Sequence, residues 1–142
     1  MLANIEQALP PELIRRASLR GREYAWSLDD IPDVIEAARA ARLINIGGQL
    51  QFRLPEGGTC ECYWIEVDTY RDVDKALPWD ARVQLTAEAA QRQFAALPPK
   101  DVLVEEGGKG FGPHLAEAEK AGHEIADLMC FVWYVAAHQD EA

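Results

Sequence analysis

A group of potential metal ligands lies in the last third of the chain. The sequence His123-Glu124-x-x-Asp127 places His123 and Asp127 about one helical turn apart, and His114 and Glu117 lie on the preceding segment. Carboxylate and imidazole groups ligate divalent ions, and two helical pairs that face each other form such sites in helix bundles. His114, Glu117, Glu124 and Asp127 therefore predict, as one alternative, a site for Mg²⁺ or Mn²⁺. The competing interpretation is a solvent-exposed first turn whose carboxylates favour a helix N-terminus.

The same stretch resembles part of a known enzyme family. The residues Glu124-Ile125-Ala126-Asp127 are similar to the E-x-x-D helix of MazG-type nucleotide pyrophosphohydrolases, in which such carboxylates hold magnesium against a nucleoside triphosphate. The resemblance implies a metal-dependent nucleotide hydrolase, and it is confined to residues 124–134. Two features depart from the family. Its partner motif E-x-x-E is absent, since Glu117 is followed at that spacing by Lys120, and the family is all-helical.

Two further motifs have a structural and a chemical interpretation. The glycine-rich segment 107–112, with Lys109 inside it and Pro113 after it, could bind an anion in front of a helix. It matches neither a Walker A nor a dinucleotide-binding pattern, so a surface loop is the favoured interpretation. Cys60-x-Cys62 lacks the spacing and the further ligands of a zinc site, and we expect two buried thiols on a strand.

A β-hairpin is the central predicted element. Apolar and polar residues alternate strictly from Ile44 to Leu54, which is typical of a strand with one buried face. A turn at 55–58 leads into a second strand, 59–67, rich in aromatic and β-branched residues. The register that keeps apolar groups together pairs Leu50 with Tyr63, Gly48 with Ile65 and Ile46 with Val67. It also places Glu61 on the apolar face, either as a functional carboxylate or in an ion pair near the turn.

Further elements flank the hairpin. A helix is predicted within residues 1–20, with Pro10 and Pro11 at a helix start. The remaining order is β(22–26), α(30–42), β(44–54), β(59–67), α(80–97) and β(101–105). The sequence therefore predicts a single α+β domain over 1–142, with a central antiparallel hairpin sheet in a ferredoxin-like βαββαβ order and extra helices at both ends. The rival is a plain hairpin sheet packed by four helices.

The segment Leu128 to Ala137 is apolar throughout, and it is predicted to be a helix. Such a helix is buried on every side or uses one face to meet another chain. Phe131, Trp133 and Tyr134 are residue types that anchor interfaces, so a homodimer through the 128–137 helix is one expectation, and burial inside the monomer is the other. The segment is too short to span a bilayer.

Composition limits the class of partner. The chain has 142 residues and a formal net charge of −10 at pH 7, which disfavours binding to nucleic acid and favours a basic protein, although many acidic domains have no such partner. The three cysteines do not suggest a disulfide framework. Met1 to Pro11 lacks the basic start and apolar core of a signal peptide, and no membrane segment is expected. We therefore expect a cytoplasmic protein.

Three functional classes follow from these patterns. The first is an acidic protein-binding domain, an immunity or inhibitor partner of a basic protein, without catalytic residues or cofactor. Its predicted partner surface consists of Asp68, Tyr70, Asp72, Asp74 and Trp79. The second is the metal-dependent nucleotide hydrolase described above. The third is a small-ligand pocket formed by Trp26, Glu61, Tyr63 and Trp64. No local motif marks a nucleophile, so an enzyme is the less favoured class.

Overall fold

The computed structural model describes residues 8–138, which form an antiparallel sheet with helices packed against one face. The five strands are β1 (Ser18–Arg20), β2 (Glu23–Trp26), β3 (Ile44–Arg53), β4 (Thr59–Asp68) and β5 (Met129–Ala136). The helices are α1 (Pro11–Arg16), α2 (Ile31–Ala40), α3 (Trp79–Ala95), α4 (Lys100–Lys120) and α5 (Ile125–Leu128). The predicted α+β class and its central antiparallel hairpin are confirmed.

The spatial order of the strands is β1-β2-β5-β3-β4, and every pairing is antiparallel. Because β2 and β3 both run antiparallel to β5, they are parallel to each other, and α2 makes the crossover between them. The ferredoxin-like order is not confirmed. The strand predicted at 101–105 is wrong, since that segment begins α4, and the last strand of the sheet comes from 129–136 instead.

The apolar segment 128–137 is a strand and not a helix. Strand β5 pairs with β2 on one side and with β3 on the other, so both of its edges are covered. Its side chains are also buried on both faces of the sheet. A central strand that is buried on both faces has a continuous apolar sequence. Hydrophobic periodicity alone does not distinguish such a sequence from that of a buried helix. Phe131, Val132 and Trp133 are almost wholly buried within the chain. The segment therefore offers no helical face for a homodimer.

The glycine-rich segment 107–112 is not a loop but the middle of α4. A Cβ atom at Gly107 would lie 2.5 Å from Cε1 of Phe52, so glycine allows the helix to approach the sheet closely. The helix bends one turn later, where Phe111 has φ −137° and ψ 31° and Pro113 removes a backbone donor. Gly107 therefore serves helix–sheet packing.

The hairpin forms where it was predicted, but its register differs. Gln49 pairs with Glu66, whereas the next residue, Leu50, pairs with Cys62, so residues 63–65 bulge out of β4. An uninterrupted strand could bury either the even or the odd positions. The bulge changes this alternation and lets Cys60 and Cys62, as well as Ile65 and Val67, face the core. The list of predicted pairs, Leu50–Tyr63, Gly48–Ile65 and Ile46–Val67, is therefore wrong.

The N-terminal prediction is correct in part. Helix α1 begins at Pro11, but the chain then turns into β1, because residues 18–20 pair with β2 as an edge strand. Residues 1–7 of the predicted helical region lie outside the described residues. No helix within residues 8–138 is both long enough and apolar enough to cross a membrane.

The helix-facing side of the sheet holds the main core. Trp26, Phe52, Phe131 and Trp133 are its largest buried side chains, each at most 1% exposed. Full burial of a large apolar side chain contributes roughly 1.5–3 kcal/mol, so this group contributes a substantial part of the stability. The buried polar group Asn45 is satisfied, since its amide donates to a carbonyl of α2 and accepts from Trp133 Nε1 at 2.9 Å.

Candidate interaction surface

The bulge in β4 places two aromatic side chains in solvent. Tyr63 is 63% exposed and Trp64 is 49% exposed, whereas Ile65 beside them is 9% exposed. Strand β4 lies at the edge of the sheet, so the bulge is not covered by another strand. Large exposed aromatic groups are unusual on a free surface and are enriched at the centres of protein interfaces.

Helix α4 holds Trp64 in place from the side. The indole Nε1 of Trp64 donates to Glu106 Oε1 at 3.0 Å, and its ring stacks on Phe111 with 6.5 Å between centroids. Gly110 makes room for the ring, because a Cβ atom there would lie 2.7 Å from Trp64 Cη2. The hydrogen bond from Lys109 and, to a smaller extent, the one from Trp64 lower the pKa of Glu106, because they stabilise its carboxylate. Trp64 is therefore a pre-oriented side chain, which lowers the entropy lost on binding. We name Tyr63, Trp64 and Phe111 the aromatic patch, in which Trp64 and Phe111 are stacked and Tyr63 extends from the same bulge toward the second face of the sheet.

A hydrogen-bonded row on the second face of the sheet supports Tyr63. The Tyr63 hydroxyl donates to Glu61, whose other oxygen accepts from Gln51 Nε2 at 3.2 Å. The bond to Glu61 raises the pKa of Tyr63, since it stabilises the protonated phenol. Gln51 is fully buried and also accepts from Arg53 Nε at 3.1 Å. The predicted place of Glu61 on the apolar face is therefore wrong, because the bulge places it on the polar face.

The predicted ligand pocket is divided between two places. Glu61, Tyr63 and Trp64 lie together on β4, but Trp26 is 1% exposed in the core, where its Nε1 donates to the carbonyl of Leu13 at 2.8 Å. The structure thus brings three of the four residues together, at a surface and not in a closed cavity.

The acidic residues predicted for the partner surface have local partners. Asp68 accepts from the backbone N–H of Tyr70 at 3.0 Å, and Asp74 accepts from that of Ala76 at 2.8 Å. Asp72 accepts from Gln93 Nε2 at 2.9 Å. These carboxylates shape the connector between β4 and α3.

The two aromatic residues of that predicted surface also have contacts within the chain. Trp79 Nε1 donates to the carbonyl of Arg42 at 3.0 Å, and its ring stacks on His138. The ammonium of Lys75 lies 4.3 Å from the centre of the Tyr70 ring. Both rings are half-buried. They are therefore less available to a partner than the rings of Tyr63 and Trp64.

The predicted metal ligands are not assembled into one site. His114 and Glu117 line a groove beside the hairpin turn, together with Phe111, whereas Asp127 lines a different pocket next to β5. Glu124 precedes the short helix α5, and its side chain makes no capping hydrogen bond. Within residues 8–138 no three His, Cys, Asp or Glu side chains are placed to hold a metal ion. The donor set for Mg²⁺ or Mn²⁺ is thus absent from this part of the chain.

The three cysteines are free and buried, at 2%, 0% and 8% exposure for Cys60, Cys62 and Cys130. Burial raises the pKa of Cys62 and of Cys130 to about 11, because it disfavours the thiolate. At pH 8 each of these two thiols therefore has about a hundredfold less thiolate than an ordinary cysteine with a pKa of 9.

We expect Ellman's reagent to find almost no fast-reacting thiol in the folded protein at pH 8. All three should react at once in denaturant, which is the internal control, and the native rate should rise with pH as thiolate forms. A thiol that reacts stoichiometrically within seconds in the folded protein would contradict the burial described here.

Compared with known proteins, the chain matches no family model, no curated protein and no solved structure. The resemblance of residues 124–134 to MazG-type enzymes thus has no support from a family match. The structure also does not extend it, since the E-x-x-D residues lie at a four-residue helix and not along a long one.

Sequence analysis identified Tyr63, Trp64 and Glu61 but missed their neighbours on α4. Gly110 and Phe111 were assigned to a loop, and Glu106 lay between that loop and the strand predicted at 101–105. Their signal is a helical period that passes through the glycines: Leu103, Gly107, Phe111, Leu115 and Ala118 recur at spacings of three and four. If Gly107 is counted among the buried positions of a helix, the helical periodicity continues through the glycine-rich segment.

Proposed function

We propose that this chain is a small protein-binding domain, of the immunity or inhibitor type, that recognises a basic protein through the aromatic patch. The observation that carries the proposal is the exposure of Tyr63 and Trp64 on a bulge of the edge strand. Tyrosine and tryptophan are the residue types that most often dominate binding energy at an interface centre.

The charge of the surrounding strand supports a basic partner. Strand β4 carries the carboxylates of Glu61, Glu66 and Asp68 and has no basic residue. Glu61 has no basic partner within 4.0 Å among residues 8–138, so its charge remains available to a partner. The net charge of −10 adds long-range attraction to a basic protein and repulsion of nucleic acid.

The bulge also bears on how the partner binds. A regular peptide strand added to the edge of β4 would meet residues 63–65, where the ladder is interrupted. Recognition by side chains therefore fits this edge better than strand addition. A second copy of this chain is disfavoured as the partner, since two domains of net charge −10 repel each other.

A reducing compartment fits the same proposal. Three free and buried thiols, with no disulfide among them, are typical of proteins that fold in the cytoplasm. We therefore propose a cytoplasmic target, or a target that enters the cytoplasm.

The proposal is tested by capture from extracts of the cells that produce the chain, with three baits: the wild type, Trp64→Ala and Leu85→Ala. Leu85 is the control, because it is also an exposed large apolar side chain, at 39%, but lies on α3. We expect one basic protein on the wild-type and Leu85→Ala baits that is lost from Trp64→Ala. Its capture should decline as salt is raised from about 0.1 M to about 0.5 M.

Circular dichroism and thermal unfolding of the three baits establish that Trp64→Ala remains folded. Equal capture by all three baits, or a captured protein that is acidic, would contradict the proposal.

A further inference from the structure

One arginine is buried on the second face of the sheet. Arg53 is 7% exposed, and its guanidinium donates to the carbonyl of Ser18 at 2.6 Å, to the carbonyl of Glu23 at 3.1 Å and to Gln51 Oε1 at 3.1 Å. The Ser18 hydroxyl accepts a fourth hydrogen bond at 3.1 Å, and all four acceptors are neutral. Burial lowers the pKa of Arg53, since it disfavours the charged form, but an arginine remains protonated in proteins. A buried cation that meets only neutral acceptors keeps much of its desolvation cost.

A second arginine lies beside it. Arg20 on β1 donates to the carbonyl of Leu54 at 2.6 Å and to that of Gly58 at 2.7 Å, so it ties the β1–β2 hairpin to the β3–β4 turn. Its Nε–H has no acceptor within residues 8–138. Neither Arg20 nor Arg53 has a carboxylate oxygen within 4.0 Å among those residues. Among residues 8–138 these two adjacent guanidinium groups therefore have no ion-pair partner, and the Glu23 carboxylate favours the charge of Arg53 only from a longer distance.

These two arginines face a pocket of about 250 Å³, which Arg16 and Asp127 also line. Arg16 is already neutralised, because it pairs with Glu12 at 2.8 Å and with Asp30 at 3.0 Å. The remaining charges are two guanidinium groups and the Asp127 carboxylate. Apart from the paired Arg16, the charges of the side chains that line this pocket therefore sum to +1, in a protein whose net charge is −10.

We propose that this pocket binds a small organic carboxylate, which accepts hydrogen bonds from the guanidinium groups of Arg20 and Arg53. Each guanidinium group has at least one N–H without an acceptor among residues 8–138, so Arg20 and Arg53 can each donate to one oxygen of the carboxylate. One negative charge also matches the charge of the pocket lining. The rest of the wall includes Ala25 and Leu128, which suit a short apolar body. Arg53 is linked to Tyr63 of the aromatic patch through Gln51 and Glu61, but this proposal does not rest on the proposed protein partner.

The test is a titration of the ¹⁵N-labelled full chain with isobutyrate, followed by amide chemical shifts, with chloride and inorganic phosphate at matched ionic strength as comparisons. We expect saturable shifts at residues 18–20, 53 and 127–130 with isobutyrate and none with chloride. Arg20→Gln should weaken binding about tenfold, which is the effect of losing a charged hydrogen bond. Asp127→Asn should tighten binding several-fold, because it removes a like charge.

Arg71→Gln is the matched control, since Arg71 is an exposed arginine that pairs with Glu66 on another part of the chain, and its affinity should equal that of the wild type. The absence of saturation, or an affinity that neither Arg20→Gln nor Asp127→Asn changes, would overturn the proposal. Tighter binding of phosphate than of isobutyrate would overturn the assignment to a carboxylate. Asp127 is exposed, so Asp127→Asn decides the matter if Arg20→Gln does not fold.

Discussion

Gly48→Ala is expected to lower the free energy of unfolding by about 3 kcal/mol or more. A Cβ atom at this position would lie 1.6 Å from the carbonyl oxygen of Val132 and 2.7 Å from its carbonyl carbon. Both atoms belong to the backbone of β5, the central strand, which is hydrogen-bonded on both sides. They cannot move away without disrupting the ladder, so the added methyl group displaces the sheet itself.

Urea unfolding followed by circular dichroism measures this effect. Gln49→Ala is the control in the same strand, since it removes a half-buried side chain whose bond to Tyr134 is long, at 3.4 Å, and it should cost less than about 1 kcal/mol. A Gly48→Ala protein as stable as the control would show that β3 and β5 are not paired in this register.

The second large effect concerns two neighbouring glycines of α4, Gly107 and Gly108. Replacing each by alanine should change the free energy of unfolding in opposite directions. Alanine in a helix interior is favoured over glycine by about 1 kcal/mol, so both substitutions gain equally in propensity. At Gly107 the new Cβ would lie 2.5 Å from the ring of Phe52, which is fully buried in the core. Overpacking of this kind costs about 1–3 kcal/mol. At Gly108 nothing lies within 4 Å of the new atom.

We therefore expect Gly107→Ala to be destabilised and Gly108→Ala to be stabilised, with the two midpoints on opposite sides of the wild type in the same urea titration. If both variants were stabilised to the same extent, α4 would not lie against Phe52. The contact of this helix with Trp64 would then be contradicted as well.

Local periodicity was sufficient to predict several elements. The helical periods of 30–42 and 80–97 reflect burial on one face, which the sequence displays directly. The alternation of Ile44 to Leu54 also predicted a strand, although its polar residues Asn45, Gln51 and Arg53 are buried as well. These predictions are confirmed because the local pattern and the tertiary environment agree.

Other elements depend on contacts that no local pattern reveals. Strand β5 is the central strand of the sheet and is buried on both faces, and its partners in β3 lie 77 to 92 positions away in the sequence. Gly107 and Gly110 look like chain breaks until Phe52 and Trp64 are placed against them. The bulge at 63–65 follows from the need to bury both Cys62 and Ile65, which lie at opposite parity.

The candidate site was predicted in its residues but not in its form. Tyr63, Trp64 and Glu61 were expected to line a ligand pocket beside the sheet with Trp26. The bulge instead turns Tyr63 and Trp64 outward, while Trp26 remains under α1. The acidic connector was expected to be the partner surface on charge alone, whereas its carboxylates accept local hydrogen bonds.

The central claim is that the aromatic patch contributes most of the binding energy for a basic protein. It is tested most directly by the dissociation constants of the purified partner for the wild type, Trp64→Ala and Leu85→Ala, measured by calorimetry at one salt concentration. Truncation of a central tryptophan costs about 2 kcal/mol or more, so we expect Trp64→Ala to weaken binding about 30-fold and Leu85→Ala to change it less than about twofold. Equal affinities for Trp64→Ala and the wild type, with the partner still bound, would contradict the claim.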